Sequence, residues 1–292
     1  MVLRRPRSIA ELVEANSHFV TDESWQRGVG YQPAPSDIFI SPFAKCGTTW
    51  MQQIVHGLRS NGSMDFDEIT QVVPWLELAH DMGWDVTADQ VATPRAFKSH
   101  LRWDEIPKGG RYIVVLRDPG DALLSFYRFC EGWRFETGAI SLDDFATYYL
   151  ERDDWHSYWG HAASWWRVRE RADVLLVSFE TMKADLPGVV RRVADFTGLG
   201  GDADRVALAT RQAGFGFMKA HGAQFDDHLL RAARDRACGL PPGGAATKVD
   251  RGQTGHRLSP DIHAALDGKW QATLGAEFGL ADYAALRQAL DG

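Results

Sequence analysis

Residues 38–50 read Ile-Phe-Ile-Ser-Pro-Phe-Ala-Lys-Cys-Gly-Thr-Thr-Trp, a short apolar run followed by a basic loop and the start of a helical pattern. The first three residues form the short apolar run that is typical of a parallel strand covered on both faces. The four-residue spacing of Trp50, Ile54 and Leu58 predicts a helix that begins near Gly47. A basic loop between a strand and a helix is suited to an anion, because the first helical amides lack internal partners and the helix dipole is positive at that end.

Other apolar runs along the chain extend this pattern into an α/β fold. Strands are expected at residues 37–41, 95–99, 111–116 and 173–178. Helical patterns lie between them, and alternation of this kind is typical of a parallel sheet. We therefore predict a P-loop-like parallel sheet of about four or five strands, flanked by helices on both faces.

Two of the helices have clear end signals. Asp118 and Pro119 suit the N-cap and first turn of a helix over about 120–130. Gly198 suits the C-cap of a helix over about 186–196. No internal repeat interrupts these elements, so we predict a single domain over residues 1–292, with an N-terminal extension at residues 1–35.

Composition limits the classes of partner. The chain has 292 residues, of which 45% are hydrophobic and 24% charged, as in an ordinary globular protein. It has no run of about 18 apolar residues and no apolar segment behind its basic N-terminus, so we expect a cytoplasmic protein without stable membrane insertion. A net charge of −7 gives no general attraction to nucleic acid, and no nucleic-acid partner is expected.

The cysteine pattern excludes two kinds of structural site. Cys46, Cys130 and Cys238 are odd in number and far apart in the chain, which fits neither a disulfide framework nor a zinc site. No metal site is expected. Cys46 lies beside a lysine at a predicted helix N-terminus, where we expect its thiol pKa to be lowered and the thiol to react with alkylating agents.

The loop after the first strand differs from the G-x-x-x-x-G-K-[ST] loop of nucleoside-triphosphate enzymes. Ser41 stands at the position of the first glycine, and Lys45 precedes Gly47 instead of following it. The loop therefore matches the ATP-binding motif poorly. A P-loop nucleotide kinase that needs Mg²⁺ nevertheless stays as an alternative function.

The same loop resembles the 5′-phosphosulfate loop of the sulfotransferases that use 3′-phosphoadenosine 5′-phosphosulfate (PAPS), commonly P-x-x-K-[ST]-G-T-T-W. The matching residues are Pro42, Lys45, Gly47, Thr48, Thr49 and Trp50. Cys46 replaces the usual hydroxyl residue, but its backbone amide can still donate a hydrogen bond to the phosphate. The resemblance implies that these residues bind the donor through its 5′-phosphate.

Arg117 and Ser125 resemble the 3′-phosphate motif of the same family, an arginine followed eight residues later by a serine. Both lie where the third predicted strand leads into a helix, at the carboxyl edge of the sheet where ligands bind in open α/β folds. The planar guanidinium group can donate two hydrogen bonds to one phosphate. Taken alone, Arg117 is equally suited to pair with Asp118 or Asp121.

Lys98 and His100 are two residues apart at the end of a predicted strand, so their side chains project to the same face. The segment resembles the family's [IV]-K-[TS]-H-[LF] element. The resemblance implies that His100 is the general base on the acceptor. Taken alone, a histidine at the end of a strand is more often hydrogen-bonded to the backbone than used as a catalytic base.

Weaker matches extend the resemblance over most of the chain. They imply that Phe179 contacts the adenine, that Phe215 stacks on it beside Met218, and that Arg251 and Gly252 close on the 3′-phosphate. The glycine-rich stretch that precedes Arg251 predicts a mobile donor-closing loop at residues 239–256.

The resemblance implies a PAPS-dependent sulfotransferase that moves a sulfuryl group to a hydroxyl or amine and leaves 3′-phosphoadenosine 5′-phosphate (PAP). Lys45 would stabilise the departing phosphate and Lys98 the sulfuryl oxygens. The donor has no triphosphate to chelate, so no metal is required. A non-catalytic PAP or PAPS binder is a further alternative, although it would need no base.

The small-molecule acceptor is predicted only in outline. The chain has 11 tryptophans, and candidates for an acceptor pocket lie between the donor motifs, at Trp75, Trp84, Trp133, Trp155 and the pair Tyr148 and Tyr149. These aromatic residues fit a pocket for an apolar, aromatic or glycolipid acceptor. They also fit as residues of the hydrophobic core. Animal cytosolic members of the family commonly form dimers through a K-x-x-x-T-V-x-x-x-E element. This element is not present near the C-terminus here, which leaves the oligomeric state open.

Overall fold

The structure, a computed structural model, describes residues 3–152, 157–244 and 257–291. Within these ranges four strands form one parallel sheet in the order β2-β1-β3-β4. The strands are β1 (Ile38–Ile40), β2 (Ala96–Lys98), β3 (Arg111–Leu116) and β4 (Val174–Ser178). The predicted strands and the predicted fold class are confirmed.

Helices cover both faces of this sheet. The helices are α1 (Ile9–Ser17), α2 (Asp22–Val29), α3 (Thr48–Arg59), α4 (Ile69–Val72), α5 (Pro119–Cys130), α6 (Leu142–Glu151), α7 (Tyr158–Trp166), α8 (Phe179–Ala184), α9 (Leu186–Thr197), α10 (Ala203–Gln212), α11 (Phe215–Ala220), α12 (His228–Arg234), α13 (Pro260–Trp270), α14 (Ala276–Phe278) and α15 (Tyr283–Asp291). Short 3₁₀ turns lie at Leu76–Leu78 and Gly222–Phe225, and a π turn at Gln271–Gly275.

The predicted helix ends are confirmed. Asp118 caps α5 by accepting a hydrogen bond from the Asp121 amide at 2.9 Å, and Pro119 is the first helical residue. Gly198 ends α9 with φ +76°, a left-handed conformation that glycine adopts without steric cost.

Alternation along the strands builds two cores. On one face the rings of Phe97, Phe39 and Tyr112 stack across three neighbouring strands, with centroids 5.6 and 5.5 Å apart. On the other face Ile40 and Val115 pack with α3, α9 and α10. Because both faces are covered, the central strands are apolar except for Arg111 at the start of β3.

All four parallel strands have their carboxyl ends at one edge of the sheet, and three of them lead into predicted catalytic or phosphate-binding residues. Ladder bonds continue just past the strands, from the Ser41 amide to the Ile113 carbonyl at 2.9 Å and from the Ser99 amide to the Ile40 carbonyl at 2.8 Å. The chain then continues into the Lys45 loop from β1, into His100 from β2 and into Arg117 from β3. The fold therefore gathers the predicted site residues by topology alone.

Residues 3–35 pack on the remainder of the described chain. Leu12 of α1 is 1% exposed and belongs to the larger core. In α2 the Ser24 hydroxyl donates to the Glu77 carbonyl at 2.9 Å, and after it the Tyr31 hydroxyl donates to the buried Asp37 at 2.8 Å. Whether this segment is a separate extension stays a prediction. No helix in the described ranges has the length and apolarity that crossing a membrane requires.

Candidate active site

The loop between β1 and α3 has an unusual backbone. Lys45 has φ +65° and Gly47 has φ +100°, both in the left-handed region. The first helical bond of α3 runs from the Met51 amide to the Gly47 carbonyl at 3.0 Å. The amides of Thr48, Thr49 and Trp50 therefore have no acceptor inside the helix and are available to an anion at its N-terminus.

Two buried polar atoms beside this loop have no hydrogen-bond partner among the described residues, namely the Thr48 hydroxyl and the Arg117 Nε. Leaving such groups unbonded costs about 1–3 kcal/mol each. Both are donors, and both belong to residues that the sequence assigns to the phosphates. A phosphate oxygen is the kind of acceptor that would satisfy them, so the residues present fit an anionic ligand.

Gly47 is required for steric as well as conformational reasons. A Cβ at this position would lie 3.0 Å from Cδ2 of Phe179, closer than ordinary side-chain contacts. The loop and the predicted adenine contact are therefore packed directly against each other.

Gly47→Ala is expected to lower the free energy of unfolding by about 1–3 kcal/mol, because alanine is strained at positive φ and its methyl group meets Phe179. Thermal unfolding and PAP titration would measure the effects. Gly138→Ala is the matched control, since Gly138 has φ +73° and open space around it. Equal destabilisation by both variants, with PAP affinity unchanged, would contradict the close contact.

Arg117 connects the loop to the following helix. Its Nη1 donates to the Lys45 carbonyl at 2.9 Å, and its guanidinium carbon lies 4.3 Å from the centroid of the Phe179 ring. The pairing with Asp121 that the sequence left open is present but long, at 3.9 Å. Ser125 lies half-buried in the second turn of α5.

Lys98 and His100 meet at one tryptophan. The Nζ of Lys98 lies 3.8 Å from the centroid of the Trp75 ring, and the His100 ring is edge-on to Trp75 with centroids 5.0 Å apart. Lys98 is only 5% exposed, which is unusual for a lysine. The structure thus places Lys98 and His100 on the same face, beside Trp75, as their spacing in the sequence indicates.

His100 is held through its ring and its backbone. Its Nδ1 lies 2.7 Å from the Pro42 carbonyl, and its amide donates to Oε1 of Glu77 at 2.8 Å. A carbonyl oxygen can only accept, so Nδ1 carries the ring hydrogen and Nε2 of the neutral ring carries the lone pair. This is the tautomer that a base needs, and Pro42 of the donor loop sets it.

The prediction of a reactive Cys46 is wrong. The side chain is fully buried in the larger core, and burial raises the pKa of its thiol to about 12, with only a partial opposing effect from Arg117. The amide that the sequence analysis offered to the phosphate donates to the Phe43 carbonyl at 3.1 Å. Proximity to a helix N-terminus lowers a thiol pKa only where the thiolate is not desolvated.

Iodoacetamide at pH 8 is expected to leave the native protein almost unmodified, because Cys46, Cys130 and Cys238 are all buried. Burial also raises the pKa of the Cys130 thiol to about 12, which leaves little thiolate to react. Mass spectrometry before and after denaturation would count the alkylated thiols. Rapid native labelling of Cys46 that PAP prevents would contradict its burial.

The predicted adenine side is assembled from three segments. Phe179 lies edge-on to Trp50, with centroids 5.6 Å apart, and the Trp50 Nε1 donates to the Ala213 carbonyl at 2.8 Å. Two residues later Phe215 begins α11, where Met218 is 4% exposed. Arg251 and Gly252, which the sequence assigns to the 3′-phosphate, lie outside the described residues, as does Trp155.

An aromatic wall, defined here as Trp75, Phe129, Trp133 and Phe19, lies beside the two lysines. Lys45 Nζ is 4.0 Å from the centroid of the Phe129 ring, which is 4.9 Å from that of Trp133. Phe19 is 5.7 Å from Trp75. Trp84 and Tyr148 are half-buried, and Tyr149 is a core residue between Phe43 and Trp159.

Sequence reasoning missed Phe129, Phe19 and Glu77. Phe129 follows Ser125 by four residues and so lies on the same face of α5, a spacing that could have identified it. For Phe19 and Glu77 no local pattern pointed to the site. Only tertiary packing brings Phe19, between α1 and α2, against Trp75, and the segment that leads into the Leu76–Leu78 turn beside β2.

Comparisons with known proteins agree with this geometry. A family model described as a sulfotransferase domain matches residues 35–237. Sulfotransferase 1C2 of Rattus norvegicus is 24% identical over 229 residues, which cover 74% of this chain and 77% of that protein.

Two solved structures share the fold. Retinol dehydratase in complex with androsterone and the inactive cofactor PAP has a TM-score of 0.70 at 17% identity, covering 93% of this chain and 95% of its own. Mouse sulfotransferase SULT7A1 complexed with PAP has a TM-score of 0.67 at 17% identity, covering 94% and 95%.

Proposed function

Because the chain belongs to the sulfotransferase domain family, we propose that it transfers the sulfuryl group of PAPS to a hydroxyl or amine of a small apolar or aromatic acceptor. The observation that carries the donor assignment is the pair of buried unbonded donors, the Thr48 hydroxyl and the Arg117 Nε, beside the N-terminus of α3. Thr48 belongs to the loop that resembles the family's 5′-phosphosulfate loop, and Arg117 to the segment that resembles its 3′-phosphate motif.

The donor site is built from the loop and the adjoining strand ends. Lys45, Thr48, Thr49 and the helix amides bind the 5′-phosphate, while Arg117 and Ser125 bind the 3′-phosphate. Arg251 and Gly252 are assigned to the 3′-phosphate from the family motif alone. Both structural neighbours are complexes with PAP, which supports a site of this kind in the shared fold.

The adenine contacts are proposed on the same basis. Phe179 and Phe215 offer aromatic faces, with Trp50 and Met218 packed behind them. Phe179 has no hydroxyl group to offer, but its ring already stacks with the guanidinium group of Arg117.

PAPS supplies an activated sulfuryl group, whose bond to the 5′-phosphate breaks as the acceptor oxygen bonds to sulfur. His100 accepts the acceptor's proton at Nε2, because Nδ1 already donates to the Pro42 carbonyl. Lys98 stabilises charge on the sulfuryl oxygens, and Lys45 stabilises the phosphate that leaves with the bonding electrons. In this proposal catalysis is positioning and electrostatics, as in phosphoryl transfer.

The acceptor is proposed to be apolar because the aromatic wall adjoins His100 and both lysines. Trp75 contacts the rings of His100 and Phe19, and Phe129 contacts Lys45. Aromatic side chains favour flat or apolar molecules with one polar group. Retinol dehydratase, one of the structural neighbours, is in complex with androsterone, a molecule of that class. Phenolic, steroid-like, lipid and glycolipid alcohols all fit this description.

The wider assignments are proposals as well. We treat residues 1–292 as one domain, with an N-terminal extension at 1–35 and a donor-closing segment at 239–256. The protein is proposed to act in the cytoplasm on small molecules and not on nucleic acid, which agrees with its net charge of −7.

Calorimetric titration with PAP, AMP, and ATP plus Mg²⁺ in one buffer tests the donor assignment. Binding of PAP at least about tenfold tighter than that of AMP is expected, because only PAP carries the 3′-phosphate that Arg117 and Ser125 would bind. Turnover of PAPS in an acceptor screen would then separate an enzyme from a non-catalytic binder. Preference for ATP plus Mg²⁺ would instead indicate a nucleotide kinase.

A further inference from the structure

Glu77 is a buried carboxyl group directly behind the proposed base. It lies in the 3₁₀ turn Leu76–Leu78 and is 2% exposed. Its Oε1 accepts two hydrogen bonds, from the His100 amide at 2.8 Å and from the Ser99 hydroxyl at 3.1 Å. These bonds compensate only in part for the lost hydration of a buried carboxyl group, because Oε2 of Glu77 has no hydrogen-bond partner among the described residues.

These two bonds fix the segment that carries the base. Ser99 and His100 follow β2, where the strand ladder ends. The Ser99 amide still donates to the Ile40 carbonyl of β1, whereas the His100 amide donates to Glu77 and not to a strand carbonyl. Glu77 replaces that partner. The Ser99 hydroxyl also accepts from the Leu101 amide at 3.0 Å, so the carboxyl group orders three consecutive residues.

The turn that carries Glu77 is itself anchored on two sides. Trp75, two residues earlier, makes a parallel bridge with Lys98 and contacts the His100 ring. The Glu77 carbonyl accepts from the Ser24 hydroxyl of α2 at 2.9 Å. A displacement of this turn would therefore move His100 relative to the Pro42 carbonyl that sets its tautomer.

We infer that Glu77 is a positioning residue for the sulfuryl-transfer reaction: through the His100 amide and the Ser99 hydroxyl, its carboxyl oxygen holds the His100 ring between the donor loop and the acceptor. The inference rests on the proposed function of His100. Glu77 bonds to backbone and to Ser99 and not to the imidazole, so it holds the base without exchanging protons with it.

The role depends on the length of the side chain more than on its charge. Burial raises the pKa of Glu77, opposed by the bond from the His100 amide. A neutral group of the same length, glutamine, keeps an oxygen acceptor at the same distance. Aspartate keeps the carboxyl group but shortens its reach by about one bond, and a misplacement of about 1 Å at a reacting group can cost about 100-fold in rate.

Glu77→Asp is expected to lower kcat by about 10- to 100-fold, with the acceptor KM and the Kd for PAP within about threefold of wild type. Glu77→Gln is expected to keep kcat within about fivefold. If Glu77→Gln loses more activity than Glu77→Asp, the charge is what matters and the positioning role is refuted. Should Glu77→Asp fail to fold, a loss beyond about tenfold in a folded Glu77→Gln variant refutes it alone.

Glu68→Asp is the matched control. Glu68 is another fully buried carboxyl group, which accepts from the Thr70 hydroxyl and from the Leu229 amide at 2.9 Å and caps α4. Shortening it disturbs a buried network of similar size without touching the His100 segment. Equal losses of kcat in Glu68→Asp and Glu77→Asp would show a general structural effect and overturn the inference.

Nitrogen-15 spectra of the histidine rings give a readout that needs no turnover, with His100→Gln used to assign the signal. Wild type is expected to show a single Nδ1-protonated tautomer at His100, and Glu77→Asp a mixture. A wild-type protein that neither binds PAP nor uses PAPS refutes the proposed function. An unchanged His100 signal and unchanged kcat in Glu77→Asp, with an active wild type, refute only the role of Glu77.

Discussion

Replacing His100 with alanine is expected to lower kcat by about 100- to 10,000-fold, the range that a positioned general base contributes. The Pro42 carbonyl holds the ring hydrogen on Nδ1, so Nε2 is the nitrogen that can take the acceptor's proton. Removal of the ring eliminates that acceptor but leaves the loop residues that bind the donor. The Kd for PAP is therefore expected to stay within about twofold of wild type.

Steady-state kinetics with PAPS and a responsive acceptor, together with PAP calorimetry, would measure both quantities. His80→Ala is the control, because His80 is partly exposed and its ring pairs with Glu23 at 3.3 Å, away from the donor loop. It is expected to retain wild-type kcat. A His100→Ala variant with near-wild-type kcat would reject the assignment of the base.

Replacing Arg117 with alanine is expected to weaken PAP binding by about 1.5–3 kcal/mol or more, which is about 10- to 150-fold, as for hydrogen bonds to a charged group. The guanidinium group is 17% exposed and stacked on Phe179, so its orientation is already fixed before a ligand binds. An ordered arginine loses little side-chain entropy on binding a phosphate.

The structure adds a control that the sequence did not indicate. Arg117 also donates to the Lys45 carbonyl at 2.9 Å, so alanine could weaken binding by loosening the donor loop. AMP separates the two effects, because it has the 5′-phosphate and lacks the 3′-phosphate. Loss of PAP affinity with AMP affinity retained supports a direct contact with the 3′-phosphate. Equal losses for both ligands would show that Arg117 acts only on the loop.

Most of the fold could be predicted from local patterns. Ile38–Ile40 and Arg111–Leu116 are apolar runs, each followed at once by a breaker or a helix cap, so their bounds could be placed within a residue or two. The parallel pairing then follows from the alternation of strands and helices, whereas the order β2-β1-β3-β4 was not predicted. The meeting of Lys45, His100 and Arg117 at one edge follows from the same topology.

The environment of individual side chains could not be predicted in this way. Cys46 has the sequence context of a reactive thiol, yet its side chain turns into the core and its pKa is raised. Arg117 was suited to a carboxylate or a phosphate, and the structure gives it a backbone carbonyl, an aromatic ring and only a long contact with Asp121. Burial and partners are properties of the packed molecule.

Short motifs and the period of apolar residues were sufficient to predict the family resemblance, the strand-to-helix loop and the residues that flank the strand ends. The places of Glu77 and Phe19 beside the predicted site, the Pro42 carbonyl that sets the tautomer of His100 and the burial of Cys46 are evident only in the folded molecule. The two groups of features differ in the range of the interactions behind them. Helical and strand patterns act between residues a few positions apart, whereas desolvation and hydrogen bonding to Glu77 depend on segments that meet only after folding.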